Sequence, residues 1–341
     1  MRVRHHGKNG RIKRGKMING FWKEKKVLIT GFEGFLGSNL TRSLISLGAR
    51  IFGLDIRIRR KETILTEADY SKITVIKGSV TDYKLVGRII KKNKINVVFH
   101  LAAEAIVDKS YNNPLKTFST NIEGTWNILE ACRDSKTIQS IIIASSDKAY
   151  GVHKKLPYTE DAPLKGNHPY DVSKSCADLI ACAYAHTYDL PVAVTRCGNI
   201  YGPGDFNFSR IVPDAIRCAF TGEKLLIRSD GKFTRDYVFV KDIVGGYILL
   251  AEKLQKLNLN DKVFNFSDEN PVTVIELVDL IFKIINKKPN YKILNRVRYE
   301  IKHQYLASSR ARKVLGWNAE FNLKKGLERT ITAYKEYFRR G

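Results

Sequence analysis

Short apolar runs recur along this chain, separated by stretches whose apolar residues return every third or fourth position. Lys26-Val27-Leu28-Ile29-Thr30 and Ala49-Arg50-Ile51-Phe52-Gly53-Leu54-Asp55 read as strands, as do the runs at 73–77, 96–100, 139–145 and 191–197. The spacing over about 81–93, 115–134 and 168–187 predicts helices. Strands that alternate with helices predict an α/β fold, a parallel doubly wound sheet with right-handed crossovers. Ligands of such sheets bind at the carboxyl ends of the strands, where Gly31, Asp55, His100, Ser146 and Asn199 fall.

The first strand runs at once into Gly31-Phe32-Glu33-Gly34-Phe35-Leu36-Gly37 and then into a helix, the Rossmann arrangement. Glycine permits the tight turn and lets backbone approach a pyrophosphate, whose charge then sits at a helix N-terminus. Asp55 ends the next strand, where it accepts the hydroxyls of an adenosine ribose and repels a 2′-phosphate, favouring NAD over NADP. Arg57, Arg59 and Arg60 follow, either as a solvated basic loop or as partners for such a phosphate.

The strand at 139–145 leads into Ser146-Asp147-Lys148, and Tyr170-Asp171-Val172-Ser173-Lys174 opens the helix at 168–187. Tyr170 and Lys174, four apart, share a helical face. A cation beside a phenol favours the phenolate, a base for a sugar hydroxyl. The same spacing also occurs by chance in helices. The coincidence with the glycine loop and Ser146 is what points to alcohol oxidation.

With these motifs go His100-Leu101-Ala102-Ala103, Asn121-Ile122-Glu123-Gly124-Thr125, Arg196-Cys197-Gly198-Asn199-Ile200-Tyr201-Gly202, Arg235-Asp236-Tyr237-Val238 and Leu315-Gly316-Trp317. In this order, from about Met17 to the C-terminus, they resemble the extended short-chain dehydrogenase/reductase superfamily and, within it, the nucleotide-sugar 4,6-dehydratases. Epimerases of that group usually carry small or apolar residues after the catalytic Ser or Thr, and glucose dehydratases an acid pair. Asp147-Lys148, Phe21-Trp22-Lys23 and the stretch from Asn199 through Arg210-Ile211-Val212-Pro213-Asp214 are most similar to CDP-glucose 4,6-dehydratases.

The resemblance implies NAD contacts from Gly31, Gly34, Phe35, Leu36, Gly37, Asp55, Ile56, Ser79, Val80, Leu101, Ala102, Ala103, Asn121, Tyr170 and Lys174. Ser79 stands where the family often has an acid facing adenine. The implied catalytic set is Ser146, Asp147, Lys148, Tyr170 and Lys174, with Ser146, Asn199, Arg210, Ile211 and Arg235 holding the substrate. Arginine suits a diphosphate because its guanidinium binds phosphate bidentately. Asp147 and Lys148 have a second reading, an ion pair that only shapes the pocket. A 4-epimerase or another short-chain reductase would then be the alternative. A dinucleotide sensor is a further class, but it has no need of the Ser146, Tyr170 and Lys174 set.

Residues 17–198, joined again by 236–267, are expected to form the dinucleotide-binding domain. Residues 199–235 and 268–341 form a smaller α/β substrate lobe beyond the break at Gly202-Pro203-Gly204. The net charge of +25 raises a nucleic-acid reading. Arg2, Arg4, Lys8, Arg11, Lys13, Arg14 and Lys16 all precede Met17 in what reads as a basic, disordered arm over 1–16, and the rest is spread without an aromatic-interleaved stretch. No nucleic-acid partner is expected. No apolar run is long enough to span a bilayer and the N-terminus lacks a signal-peptide core, so the expected site is cytoplasmic, without a membrane partner. Cys132, Cys176, Cys182, Cys197 and Cys218 show no C-x-x-C spacing and read as apolar filler, and neither disulfide nor metal is expected. The helices at 115–134 and 168–187 carry apolar residues on more than one face, among them Ile128, Leu129, Ala131, Leu179, Ile180, Ala183 and Tyr184. The resembling family pairs these helices across a two-fold axis, so a homodimer is expected.

Overall fold

The computed structural model describes residues 20–257, 262–296 and 301–340. The basic arm expected over 1–16 lies outside the described residues. Seven parallel strands form the main sheet: β1 (Lys26–Thr30), β2 (Arg50–Asp55), β3 (Ile73–Lys77), β4 (Val97–His100), β5 (Ser140–Ala144), β6 (Val192–Cys197) and β7 (Val263–Phe266). Their order is β7-β6-β5-β4-β1-β2-β3, so the chain winds outward in one direction from β1 and then in the other. That reversal opens a crevice above the carboxyl ends of β1 and β4.

The strands read as continuous apolar runs because both faces are covered. Side chains alternate across a strand, so Val27 and Ile29 enter one core and Leu28 the other. The first core packs against Leu40, Leu44, Ile243 and Tyr247. The second packs against Val86, Ile90, Ile128, Leu129 and Cys132. Each fully buried aliphatic side chain contributes about 1.5–3 kcal/mol.

The helix expected over 115–134 is three pieces: Pro114–Phe118, a π turn at Ser119–Glu123, and Gly124–Arg133. Single π turns inside helices widen the backbone locally, and this one carries Asn121. Ile128, Leu129 and Ala131, named among the apolar residues on more than one face, are all buried in the second core. The exposed apolar side chains here are Tyr111, Leu115, Trp126, Leu179 and Tyr188.

A third cluster gathers Val212, Ile216, Leu277, Ile281, Leu327 and Tyr334 from the helices Ile211–Thr221, Val274–Ile285 and Leu323–Arg340. Short strands join it: Thr234–Arg235 lies between Val272–Thr273 and His303–Gln304, and Asn199–Tyr201 pairs with Tyr237–Phe239. The C-terminal stretch does not stay within this cluster, because Ala311, Leu315 and Trp317 pack in the first core of the large sheet. Trp317 Nε1 donates to the Asp242 carbonyl at 3.0 Å there. Among the described residues no helix is long and apolar enough to cross a membrane.

Candidate active site

Gly31 has φ +71°, and a Cβ on it would lie 3.0 Å from the Ala102 backbone. A Cβ on Gly37 would run into the Gly31 carbonyl oxygen. The glycine loop therefore closes on itself and on the β4 exit through backbone alone. Gly34 starts the helix Phe35–Ser46 with no side-chain cap, leaving first-turn N–H groups for an anion. Thr30 Oγ1 accepts from the Leu101 and Ala102 amides at 3.2 and 3.1 Å and meets His100 Nδ1 at 2.9 Å. His100 Nε2 meets Thr125 Oγ1 at 3.2 Å. Burial, with the Lys174 cation adding to it, pushes His100 down to about 3, which keeps the ring neutral.

Asp55 is buried at the end of β2. Its Oδ1 accepts from Arg60 Nη2 at 2.5 Å and from the Arg57 amide at 3.2 Å, while Oδ2 is buried without a partner. Arg60 Nε is also buried and unpartnered. One acceptor and one donor left unmatched at this strand end fit the diol of an adenosine ribose. Glu33, passed over in the sequence, organises the loop: its carboxylate accepts the Arg59 and Arg60 amides at 2.7 and 2.8 Å. Arg59 and Arg60 are thus paired to Glu67 and Asp55 and do not form a free basic loop. Ile56 is exposed beside Asp55. Ser79 shares a hydrogen bond with Thr81 at 2.7 Å, and Val80 packs against Gly124, where a Cβ would lie 2.5 Å from it. Asn121 is committed to protein, accepting from the Glu104 amide at 2.7 Å and donating to the Glu104 carbonyl and Ser173 Oγ. It shapes the loop after Ala102 and Ala103.

Ser146 caps a short 3-10 turn, Asp147–Tyr150, at the exit of β5. Its Oγ accepts the Lys148 amide at 3.2 Å and donates to Asp147 Oδ1 at 3.0 Å. Tyr170, on the first turn of the helix Pro169–Tyr188, lies close enough to Ser146 for that hydroxyl to favour its phenolate. Desolvation pushes its hydroxyl up to about 12, against the Ser146 hydroxyl and the Arg210 cation, which pull it down. Lys174 is buried, donates Nζ to the Ala144 carbonyl at 2.7 Å, and is pushed down to about 8 by burial. Its place on the shared face is as expected. The cation that stands out in the pull on the phenol is, however, Arg210.

Asp147 is buried, and its Oδ2 has no hydrogen-bond partner. Lys148 Nζ donates to Gln304 Oε1 at 2.5 Å, and Gln304 Nε2 donates to the Asp147 carbonyl at 2.7 Å. Two further buried acids face this pair. Asp171 is pushed up to about 6 by burial, with Lys148 opposing the shift. Asp236 is pushed up to about 7 by burial, with Asp147 adding to it. Sequence reasoning missed Gln304 and both acids, and for Gln304 no motif signals it.

The turn is held from below. Arg196 pairs bidentately with Asp178 at 2.8 Å and donates to Tyr150 Oη at 2.8 Å, and Tyr150 donates to Asn265 Oδ1 at 2.8 Å. Ser175 Oγ donates to the Ala149 carbonyl at 2.9 Å, tying the turn to the helix that carries Tyr170. Of the expected substrate residues, Arg210 is partly exposed, pairs with Asp205 at 3.2 Å and lies close enough to Tyr170 to act on it. Ile211 follows it as the first residue of its helix, and Asn199 begins its strand with its amide on the Asp236 carbonyl. Arg235 is buried, with donors on the carbonyls of Thr234, Ile301 and Lys302, so it also stitches strands together.

This geometry has relatives of known chemistry. Residues 28–330 match the family model described as GDP-mannose 4,6 dehydratase. The CDP-glucose 4,6-dehydratase of Salmonella typhimurium is 29% identical over 338 residues, covering 94% of this chain and 93% of that protein. The dTDP-glucose 4,6-dehydratase of Bacillus anthracis, solved in complex with NAD, superposes with a TM-score of 0.81 at 27% identity, covering 92% of this chain and 97% of that one. An epimerase of Methanothermobacter thermautotrophicus superposes with a TM-score of 0.85 at 27% identity, covering 94% and 95%. The glycine loop, the half-matched ribose site and the Ser146, Tyr170 and Lys174 cluster thus have one common explanation: the chain belongs to the GDP-mannose 4,6 dehydratase family, the NAD-dependent nucleotide-sugar 4,6-dehydratases and epimerases.

Proposed function

We propose that this enzyme is a 4,6-dehydratase of a nucleoside-diphosphate hexose, with CDP-glucose the best-supported substrate, forming the 4-keto-6-deoxyhexose with loss of water. The carrying observation is the Asp147-Lys148 pair in the turn below Tyr170, an acid and an amine where an epimerase has no use for either. The glycine loop and Asp55 would hold NAD, which would supply the hydride acceptor for C4 and the hydride donor for C6. The chain's own residues move the protons. Tyr170, with Ser146 beside it, removes the proton of the 4-hydroxyl. The resulting ketone acidifies the C5 proton, which Lys148 removes, and Asp147 protonates the departing 6-hydroxyl. Gln304, an amide, holds the Lys148 amine at 2.5 Å. Asp147 itself is buried, with two further buried acids, Asp171 and Asp236, facing the same turn.

Arg210 is the foremost phosphate ligand in this reading, since it keeps an exposed guanidinium beside the phenol. Arg235 and Asn199 complete the set. The exposed Leu115, Trp126 and Leu179 lie on the two helical segments expected to pair between copies, so the reading includes a homodimer, with these side chains in the buried patch. All five cysteines are free thiols, which suits a reducing compartment such as the cytoplasm.

The test is incubation of purified protein with a panel of nucleotide-hexoses, following product mass. Loss of one water from the CDP-glucose sample supports the proposal. An isomer of unchanged mass identifies a 4-epimerase, the reading favoured by the epimerase likeness.

A further inference from the structure

Gln304 is fully buried on the short strand His303–Gln304, far along the chain from the turn that its side chain touches. Its amide has only one consistent orientation. The Asp147 carbonyl can only accept and the Lys148 ammonium can only donate, so Nε2 faces the first at 2.7 Å and Oε1 the second at 2.5 Å. One side chain therefore fixes both the backbone of the acid and the head group of the amine. The strand is held in its turn by register with Thr234–Arg235, which belongs to the substrate side of the crevice.

We propose that Gln304 is a positioning residue for the elimination half of the reaction, holding the Lys148 amine in place without giving it a counter-ion. The proposal rests on Lys148 being the C5 base. An amide serves where a carboxylate would not, because a carboxylate at this distance would stabilise the ammonium and remove the base. The charged and titratable groups around Lys148 are Asp147 beside it in the turn, Asp171 and His168 at the start of the Tyr170 helix, Asp236 facing the same turn, and Arg235 on the neighbouring strand. Gln304 is the neutral member of that ring.

The experiment compares Gln304→Leu and Gln304→Glu with wild type, using CDP-glucose. The readouts are 4-ketone formation and deuterium uptake at C5 from D₂O, each across pH. Gln304→Leu is expected to form the ketone at close to the wild-type rate while C5 exchange falls about 10- to 100-fold, from loss of orientation. In Gln304→Glu the exchange rate should rise with pH along a limb about 1–3 units above the wild-type limb, since the carboxylate raises the amine's pKa. Gln304→Glu keeps the side-chain shape and carries the test alone if the leucine variant does not fold. An unshifted limb in Gln304→Glu, or equal loss of ketone formation and C5 exchange, overturns the proposal. Lys148→Met is run alongside, and normal dehydration in that variant would overturn the base assignment itself, separating the two failures.

Discussion

At the β1 end of the crevice, Gly31, Gly37, Thr30 and Ala102 meet through backbone contacts and one hydroxyl, all within or beside adjacent strands. At the β5 end, Asp147 and Lys148 are met by Asp171, Asp236 and Gln304, which arrive from a helix, a strand start and the C-terminal stretch. The first end binds a dinucleotide shared by many reactions and requires only that backbone come close. In the proposed function the second selects the reaction, a task that calls for buried titratable groups whose neighbours set which form is present. Both ends leave buried polar atoms without a hydrogen bond, Asp55 Oδ2 and Arg60 Nε on the dinucleotide side and Asp147 Oδ2 and Asp236 Oδ1 here. A general site can be built locally, whereas the chemical choice is made where distant segments converge.

Breaking the proton transfer that joins the two ends should have the largest effect. Tyr170→Phe is expected to lose about 10²–10⁴-fold in turnover while NAD titration of the variant stays near wild type, since little volume is removed. Lys148→Met or Asp147→Asn should block water loss while the 4-ketone still forms in a single turnover, a drop of about 10²–10³-fold in dehydration. Normal dehydration by either variant would make the pair structural and the two ends of the crevice less different than drawn here.

The support beneath the β5 end can be broken without touching the chemistry. Arg196→Met leaves Asp178 buried and unpaired and is expected to cost about 3–5 kcal/mol in a urea melt, much of it recovered when Asp178→Leu is added. At the β1 end, Gly37→Ala places a methyl against a backbone carbonyl, and NAD affinity by fluorescence titration should weaken about 10- to 100-fold as the loop shifts.

The smallest effect concerns pH. His100 is pushed down to about 3 from 6.5, so between those values the unfolded chain binds a proton that the folded chain refuses. Stability must therefore fall as pH drops through that window, by about 2 kcal/mol at pH 5 from this group. His100→Gln is expected to flatten the melt-derived stability between pH 7 and pH 5 by that amount. An unchanged slope would show that His100 is not the buried neutral strut that Thr30 and Thr125 make it.

The alternation of apolar runs and helical spacings was sufficient to set the sheet, its parallel sense and the strand ends where ligands gather, because strand burial on both faces imposes a local pattern. The glycine loop, Asp55 and the Tyr170/Lys174 face were legible for the same reason: each depends on residues close in the chain. Other features had no such signature. A π turn at Asn121 turns a helix that reads as continuous into three pieces and directs a presumed cofactor ligand into the protein. Ile128 and Leu129 are apolar in the same way as Trp126 and Leu179, and only packing decides which pair faces outward. Gln304 and Asp236 are ordinary polar residues until the C-terminal stretch folds across the sheet and buries them beside Asp147. Local pattern reports which face of an element is buried. The identity of the group that meets a buried charge is decided only when segments far apart in the chain are brought into contact.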